Sequence, residues 1–571
     1  MQYLKLAELY EKISATTKRL EKTNILSKFL IHLSSEERDV MYLLLGDIYP
    51  EYDERRIGIS NQLAIKAIAK STGTEEKKII SEWKIIGDLG QVAEKFTLHK
   101  KQHTLHSHVL TISKVIENFR KLPELVGKGT VGKKLGLINE LLTSANPIEA
   151  KYLVRTLIGD LRIGIQESTI RDSMALAFFE KDKDVSEKIQ RAIDRSNDLG
   201  IVFDIVQKKK LKDLDKVVLQ IGKPIKAMLA QKAISIEDAF KNVGNPCAVE
   251  YKYDGFRLLI HKNGDDVKLF TRMLENVTNQ FPEVKEFILK YVKGKSFILD
   301  SETVGYNKQT KKYTDFQAIS QRIRRKYNID KLQNELPVEV NVFDILSYNG
   351  KSQLDEPFKK RSELLRKIIT KKPYKIIPSK QIITGNVEKI KEFYKQALKD
   401  NQEGVMLKKL DAEYKPGRRV GHMVKIKPDE RDLDLVITGA EWGTGKRKGW
   451  LSSFILSCRG KKSGEYLEIG KVGTGVKEKI GDSGLSFEEL TDLLKPLIIG
   501  EKGKIVQIKP KIVVAVTYQE IQKSPNYNSG WALRFPRFTA LRVGDKLLSE
   551  IADIEEVVED FKLQKRNYHY G

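Results

Sequence analysis

From the N-terminus to about Lys216, apolar residues recur at three- and four-residue intervals, as in Tyr3, Leu6, Tyr10 and Ile13, with Lys and Glu between them. That spacing lines one side of an α-helix and leaves the charges on the other, so this part is predicted to be all-α. Pro147–Arg162 and Thr169–Glu180 are two such helical runs. Beyond Ile221 the period shortens to two: AVEYKYDG, RLLIHK, VKLFTR, SFILDSETV and VEVNVFDIL alternate apolar with polar and are punctuated by Gly, Asn and Asp, the pattern of strands and turns. A boundary near 215–225 follows. After about Arg431, the stretches DLVITGAEWG, SFILSCRG and KIVVAVTYQE predict a small β-rich part closed by a short tail. A chain of 571 residues exceeds what one hydrophobic core serves. The expected fold class is therefore multidomain α+β, divided as 1–220, 221–430 and 431–571, with no internal repeat or low-complexity segment.

Charge narrows the partners. Lys plus Arg number 102 against 77 Asp plus Glu, a net charge of +25. A surplus of that size favours a polyanion, nucleic acid above all, although Lys/Glu-rich surfaces also serve solubility and life at high temperature. The two cysteines, Cys247 and Cys458, are too few and too far apart for a disulfide framework or a four-cysteine zinc site, and both are expected to be reduced core residues. The eight histidines show no metal-ligand spacing. The N-terminal segment has amphipathic spacing, not the unbroken apolar stretch of a signal peptide, and no run is apolar enough to span a membrane, so a cytosolic (cytoplasmic) location is expected.

Chemistry concentrates around one lysine. In Ala248–Gly255, alternation puts Val249, Tyr251 and Tyr253 on one strand face and Glu250, Lys252 and Asp254 on the other. A lysine becomes a nucleophile only when part of it is neutral, which desolvation or nearby positive charge promotes. Taken alone, Lys-x-Asp-Gly also describes a solvated strand lysine. Further along, Asp300 and Glu302 share a strand face, Glu403 opens EGVMLK, and Lys425 and Lys427 alternate on Met423–Lys427. Carboxylates of this kind bind Mg²⁺ or orient a ribose, and paired lysines receive phosphate. Phe343 in VNVFDIL fits either a purine stack or the core.

In order along the chain, KYDG at 252–255, FTRMLENVT at 270–278, LDSETV at 299–304, VFDIL at 342–346, EGVMLK at 403–408 and VKIK at 424–427 resemble the successive motifs of the covalent nucleotidyltransferases, which comprise DNA ligases, RNA ligases and mRNA capping enzymes. The resemblance implies that Lys252 carries AMP, Glu250 reads the adenine, and Arg257 and Arg272 lie by the ribose and phosphates. It further implies that Glu302 contacts ribose or metal, Phe343 stacks on adenine, Glu403 helps to hold metal, and Arg419, Lys425 and Lys427 bind phosphate.

The flanking parts select within the superfamily. KYLVRTLIGDLRIGI at 151–165 and GKPIKAMLAQ at 222–231 are similar to the archaeal and eukaryotic replicative ATP-dependent DNA ligases, and two cysteines cannot build the zinc site usual in NAD-dependent ones. EWGTGKRKGW at 441–450 and LRFPRF at 533–538 resemble the C-terminal OB-fold domain of that family. The resemblance covers essentially the whole chain. It implies an all-α DNA-binding domain, an α+β adenylation (nucleotidyltransferase) domain and a β-barrel OB-fold domain acting as a monomer on nicked double-stranded DNA. ATP is the implied AMP donor and Mg²⁺ the implied metal, with Mn²⁺ as a substitute. Arg534, Arg537 and Lys546 are implied to reach the β- and γ-phosphates. Here Arg542 and Lys546 are separated by one residue more than the family's Arg-x-Asp-Lys pattern, which unsettles the register of Arg542.

Two glycine-rich strings are decoys. Gly127–Lys134, GKGTVGKK, ends in Lys134 where a phosphate-binding loop needs Ser or Thr, and no strand pattern precedes it. Gly443–Lys446 has Ala440 where the first glycine belongs. Gln102–His106 falls where archaeal ligases carry a sliding-clamp-binding motif, but only Gln102 and Leu105 match and His106 replaces an aromatic.

Overall fold

The computed structural model describes the chain except residues 100–108, 181, 315–318, 320–321, 324, 326, 328, 419, 429–430, 463–464, 479–484, 543–545 and 568–571. Two compact units are present: Met1–Gly58 with Val109–Thr130 and Gly159–Pro428, and Ile59–His108 with Val131–Ile158 and Asp429–Gly571. The helical N-terminal region contributes to both.

That region is helical as its periodicity predicts. Tyr3, Leu6, Tyr10 and Ile13 lie on the helix Tyr3–Ser14 and are fully buried. The run predicted as Pro147–Arg162 is a helix only over Pro147–Leu157. Asn146 starts it through a reciprocal capping box with Glu149, with Pro147 in the first turn, where a missing N–H costs nothing. It stops because Gly159 (φ +69) and Arg162 (φ +58) take left-handed conformations that no helix continues. The second run, predicted as Thr169–Glu180, begins two residues earlier, at Glu167, and ends at Phe179, where Glu180 is left-handed (φ 52). Lys151 and Arg155, within the KYLVRTLIGDLRIGI string, are interior residues of the second unit. Arg155 forms a buried ion pair with Asp88 (2.7 Å), and Lys151 reaches Glu94 (3.3 Å). Gly127–Lys134 is a turn running into the helix Thr130–Ser144, with no strand before it.

The first unit also holds two sheets. In the five-stranded sheet the order is β1 (Gln231–Lys232), β11 (Met423–Ile426), β10 (Gly404–Lys408), β2 (Cys247–Lys252) and β9 (Gln381–Thr384). The six-stranded sheet runs β4 (Asp266–Thr271), β3 (Phe256–Asn263), β5 (Ser296–Gly305), β6 (Val338–Tyr348) and β7 (Lys351–Ser352), with β8 (Ile376–Pro378) also on β6. One face of the first sheet, with Val249, Tyr251, Val405, Leu407 and Val424, packs with apolar residues of the helices Ile236–Val243 and Val387–Lys399. One face of the second, with Phe256, Leu258, Ile260, Leu299 and Val340, packs with the helices Pro282–Tyr291 and Phe358–Ile368.

In the second unit, β12 (Arg431–Trp442) is the spine of a bent seven-stranded sheet. One edge of β12 pairs with β13 (Leu451–Arg459); the other is shared between β17 (Val513–Tyr518) and β16 (Ile505–Ile508). Irregular register near Ile437 and Glu441 accompanies the bend. Cys247 and Cys458 are buried free thiols, and burial pushes them up to about 11 and about 12 respectively.

Candidate functional site

Strand register assembles the site. Across the five-stranded sheet, Lys425 of β11 is opposite Met406 of β10, Met406 is opposite Glu250 of β2, and Glu250 is opposite Gln381 of β9. Directly opposed residues share a face. The next row pairs Lys252 with Gly404, and Lys427 follows one residue beyond the end of β11. Thus Glu250, Lys252, Lys408, Gln381 and Lys425 stand on the face turned away from the apolar core. Gly404 (φ +143) has to be glycine, since a Cβ there would sit 2.2 Å from the carbonyl oxygen of Ile426.

Lys252 is about one-fifth exposed, and its Nζ lies 2.5 Å from Oε2 of Glu403, whose backbone N–H donates to the Lys252 carbonyl. Three strands on in sequence, Glu302 on β5 joins them: it is opposite Arg257 of β3, and Gly255 of the KYDG string packs against it, a Cβ at 255 meeting Glu302 Cγ at 3.2 Å and Thr303 O at 2.3 Å. The glycine of the string therefore lets the lysine-bearing turn approach the second sheet. Burial pushes the Glu302 carboxyl up to about 8; Lys252 opposes the rise, Glu403 and Asp300 add to it, and Arg257 opposes it more weakly.

Asp300, two residues from Glu302, does not face the lysine as a second free carboxylate. It is held in a bidentate pair by Arg257 (2.7 and 3.0 Å) and accepts the Tyr414 hydroxyl at 2.8 Å. Tyr414 in turn accepts the backbone N–H of Met228, in the GKPIKAMLAQ junction, at 3.1 Å. Arg257 Nη1 is buried with no hydrogen-bond partner. Asp300 thus fixes the orientation of the Arg257 guanidinium.

Phe343 escapes the core through a defect in the sheet. On β6, Asp344 pairs with Asp300 and Val342 with Ser301, so Phe343 is the extra residue of a bulge. Bulges re-aim side chains. Phe343 is partly exposed in a strand whose neighbours are buried, and the Lys408 ammonium lies 4.7 Å from its ring centroid. Arg272 is exposed just beyond β4. Arg419 lies outside the described residues, as does the segment Gln102–His106.

Arg534, Arg537 and Lys546 belong to the second unit. Arg534, on β19 (Trp531–Arg534), is tied to Glu520 at 2.7 Å; Arg537 is exposed on β20 (Arg537–Leu541). Lys546 and Arg542 converge on Asp434 of β12, at 3.4 and 3.2 Å. The extra residue between them leaves both on one carboxylate.

Sequence reasoning missed two members of the site. Lys408 bridges the sheets, pairing with Glu250 (2.7 Å) and donating to the Phe343 carbonyl (3.3 Å), and Gln381 Nε2 donates to the other Glu250 oxygen (2.8 Å). A lysine ending an otherwise apolar strand signalled Lys408, because such a charge stays buried only with a partner. Gln381 carried no such signal.

Comparison with known proteins identifies the family. Family models described as DNA ligase N terminus, ATP dependent DNA ligase domain and ATP dependent DNA ligase C terminal region match residues 2–175, 227–427 and 447–545. A DNA ligase of Nanoarchaeum equitans is 43% identical over 100% of both chains. Those of Thermococcus onnurineus and Archaeoglobus fulgidus are 41% and 38% identical over 99% of each chain. Among solved structures, Pmar-Lig_PreS3 shares the fold, with a TM-score of 0.57 at 18% identity over 94% of this chain and 99% of that one. With whole-length relatives at this identity and matches in all three parts of the sequence, the chain belongs to the ATP-dependent DNA ligase family.

Proposed function

We propose that this enzyme seals nicks in duplex DNA through a covalent lysyl-AMP intermediate on Lys252, in replication, repair and recombination. The observation carrying the assignment is the Lys252–Glu403 contact of 2.5 Å on a sheet face that also bears Glu250 and Lys425, with Glu302 beside it. The Lys252 amine attacks the α-phosphate of ATP; a P–N bond forms, the bond to the bridging oxygen breaks, and pyrophosphate leaves. AMP then passes to the 5′-phosphate of the nick, and the 3′-hydroxyl displaces it to close the strand. Each step is an in-line displacement at phosphorus, so positioning and charge stabilisation carry the catalysis.

Within that scheme Glu250 reads the adenine, Phe343 stacks on it, Arg257 and Arg272 lie by ribose and phosphate, and Arg419, Lys425 and Lys427 receive phosphate charge. Glu302 and Glu403 fit a divalent cation such as Mg²⁺, with Mn²⁺ as substitute: two neighbouring carboxylates, one of them pushed up to about 8, form an electron-rich site that a dication would neutralise. When bound, Mg²⁺ supplies charge neutralisation at the reacting phosphate. Arg534, Arg537 and Lys546 orient the leaving pyrophosphate, which requires a rearrangement of parts during the cycle. We assign 1–220 to DNA binding, 221–430 to adenylation and 431–571 to an OB-fold, in a monomer. A sliding clamp recruited through Gln102–His106 is a further partner; retained clamp pull-down after Leu105→Ala would remove that segment.

The decisive experiment is labelling with α-³²P ATP. Lys252→Ala is expected to abolish covalent labelling while nicked-DNA binding survives, and labelling that persists would overturn the assignment.

A further inference from the structure

The base-reading residue proposed above does not stand alone. Glu250 is 2% exposed, and both of its carboxylate oxygens are taken by protein donors: Oε2 by the Lys408 ammonium at 2.7 Å and Oε1 by the Gln381 amide at 2.8 Å. Gln381 is directly opposite Glu250 in the β2–β9 register, so its backbone position is set by the sheet. The amide is also held by Ser362, on the helix Phe358–Ile368, whose hydroxyl accepts from Gln381 Nε2 at 3.1 Å and donates to its Oε1 at 3.2 Å. Lys408 is fixed by the Phe343 carbonyl at 3.3 Å and lies over the Phe343 and Phe358 rings. A continuous chain, Ser362–Gln381–Glu250–Lys408–Phe343, therefore runs from the helix to the bulged aromatic.

We propose that Gln381 is a specificity-determining positioning residue for the purine base. Resting on the reading of Glu250 as the adenine contact, it acts by locking the Glu250 carboxylate as an acceptor in one orientation. Adenine presents an exocyclic amine, which donates; guanine presents a carbonyl oxygen at the same ring position, which accepts. A carboxylate held by two donors from behind can receive the first and repels the second. Released from Gln381, the carboxylate is free to turn about its side-chain torsions, and the distinction weakens. A site built to pair with one hydrogen-bonding pattern rejects the analogue that lacks it, because buried polar groups are otherwise left unpaired.

The test uses the full-length enzyme and compares kcat/KM for self-labelling by α-³²P ATP and α-³²P GTP. Gln381→Leu, similar in size and without the amide, is expected to lower the ATP-to-GTP ratio by roughly tenfold or more, equivalent to about 1.4 kcal/mol of discrimination. Ser362→Ala is expected to move it the same way by less. A ratio unchanged in both variants, or ATP and GTP use falling in parallel, overturns the proposal, since a merely structural role lowers both together. A wild-type enzyme that does not discriminate also overturns it. Absence of any ATP labelling of the wild type is the distinguishable failure of the ligase reading itself. Nicked-DNA binding and the thermal unfolding temperature report whether each variant is folded. If Gln381→Leu is not, the ratio in Ser362→Ala decides.

Discussion

At the scale of single residues, Lys252, Glu302 and Phe343 are each made useful by what surrounds them. Lys252 is placed by the pairing of β2 with β10, which brings Glu403 to its side chain. Phe343 depends on the bulge that turns it out of β6. If it stacks on the base, Phe343→Ala should raise the KM for ATP by roughly tenfold or more, from about 1–3 kcal/mol of base stacking, while Phe343→Tyr retains most of it. Steady-state labelling kinetics would show this, and an unchanged KM in the alanine variant would return Phe343 to a packing role. The motif lysine and carboxylates could be picked out from the order of the strings alone. Gln381 could not, because a glutamine at the start of a short strand has no distinctive chemistry until a second strand places a carboxylate opposite it.

At the scale of elements, the helix Pro147–Leu157 shows how a cationic string can be structural. The helix is buried from Glu149 to Leu157, and Gly90 packs so closely that a Cβ there would lie 2.6 Å from Arg155 Cγ. Asp88 both caps the helix Leu89–Leu98, accepting from the N–H groups of Gly90 and Gln91, and neutralises Arg155. Asp88→Ala should therefore cost about 3–5 kcal/mol, because a buried guanidinium loses its paired carboxylate and the helix Leu89–Leu98 loses its cap. Urea unfolding followed in parallel on Asp88→Ala and on the double variant Asp88→Ala, Arg155→Met would check it. The double variant should recover much of the loss; a single variant as stable as the wild type would sink the argument. Helix existence was readable from spacing, but not helix ends. Those were set at Gly159 and Glu180 by left-handed backbone, which hydrophobic periodicity does not report.

At the scale of the whole molecule, two collective properties are open to measurement. His261 on β3 is 1% exposed and its Nδ1 accepts the Gly222 N–H at 2.9 Å; burial, with the charges of Lys268 and Arg257, pushes it down to about 3 from 6.5. Between those values the unfolded chain binds a proton that the folded chain does not, so stability is present above pH 6.5 and is lost as pH falls towards 3. The slope approaches about 1.4 kcal/mol per pH unit. His261→Asn keeps an acceptor but cannot titrate, and its urea unfolding curves at about pH 7 and about pH 5.5 should differ by roughly 1–2 kcal/mol less than those of the wild type. Equal losses would exclude His261 as the acid-sensitive group. The second property is the net charge of +25. If the surplus serves backbone contacts, affinity for nicked duplex should fall roughly a thousandfold between about 50 and 200 mM salt, and a flat titration would rule that out. By itself the sequence determined the elements, the family motifs and the polyanionic partner, because periodicity, local spacing and net charge are properties of the chain read in order. Only the tertiary structure decided which charges are paired in the interior and which of them meet across the sheet. Arg155 and Asp300 were spent on buried pairs, whereas Lys252 and Glu403, 151 residues apart, were brought within 2.5 Å. Register between strands distant in sequence fixes those partners, and no local pattern encodes it.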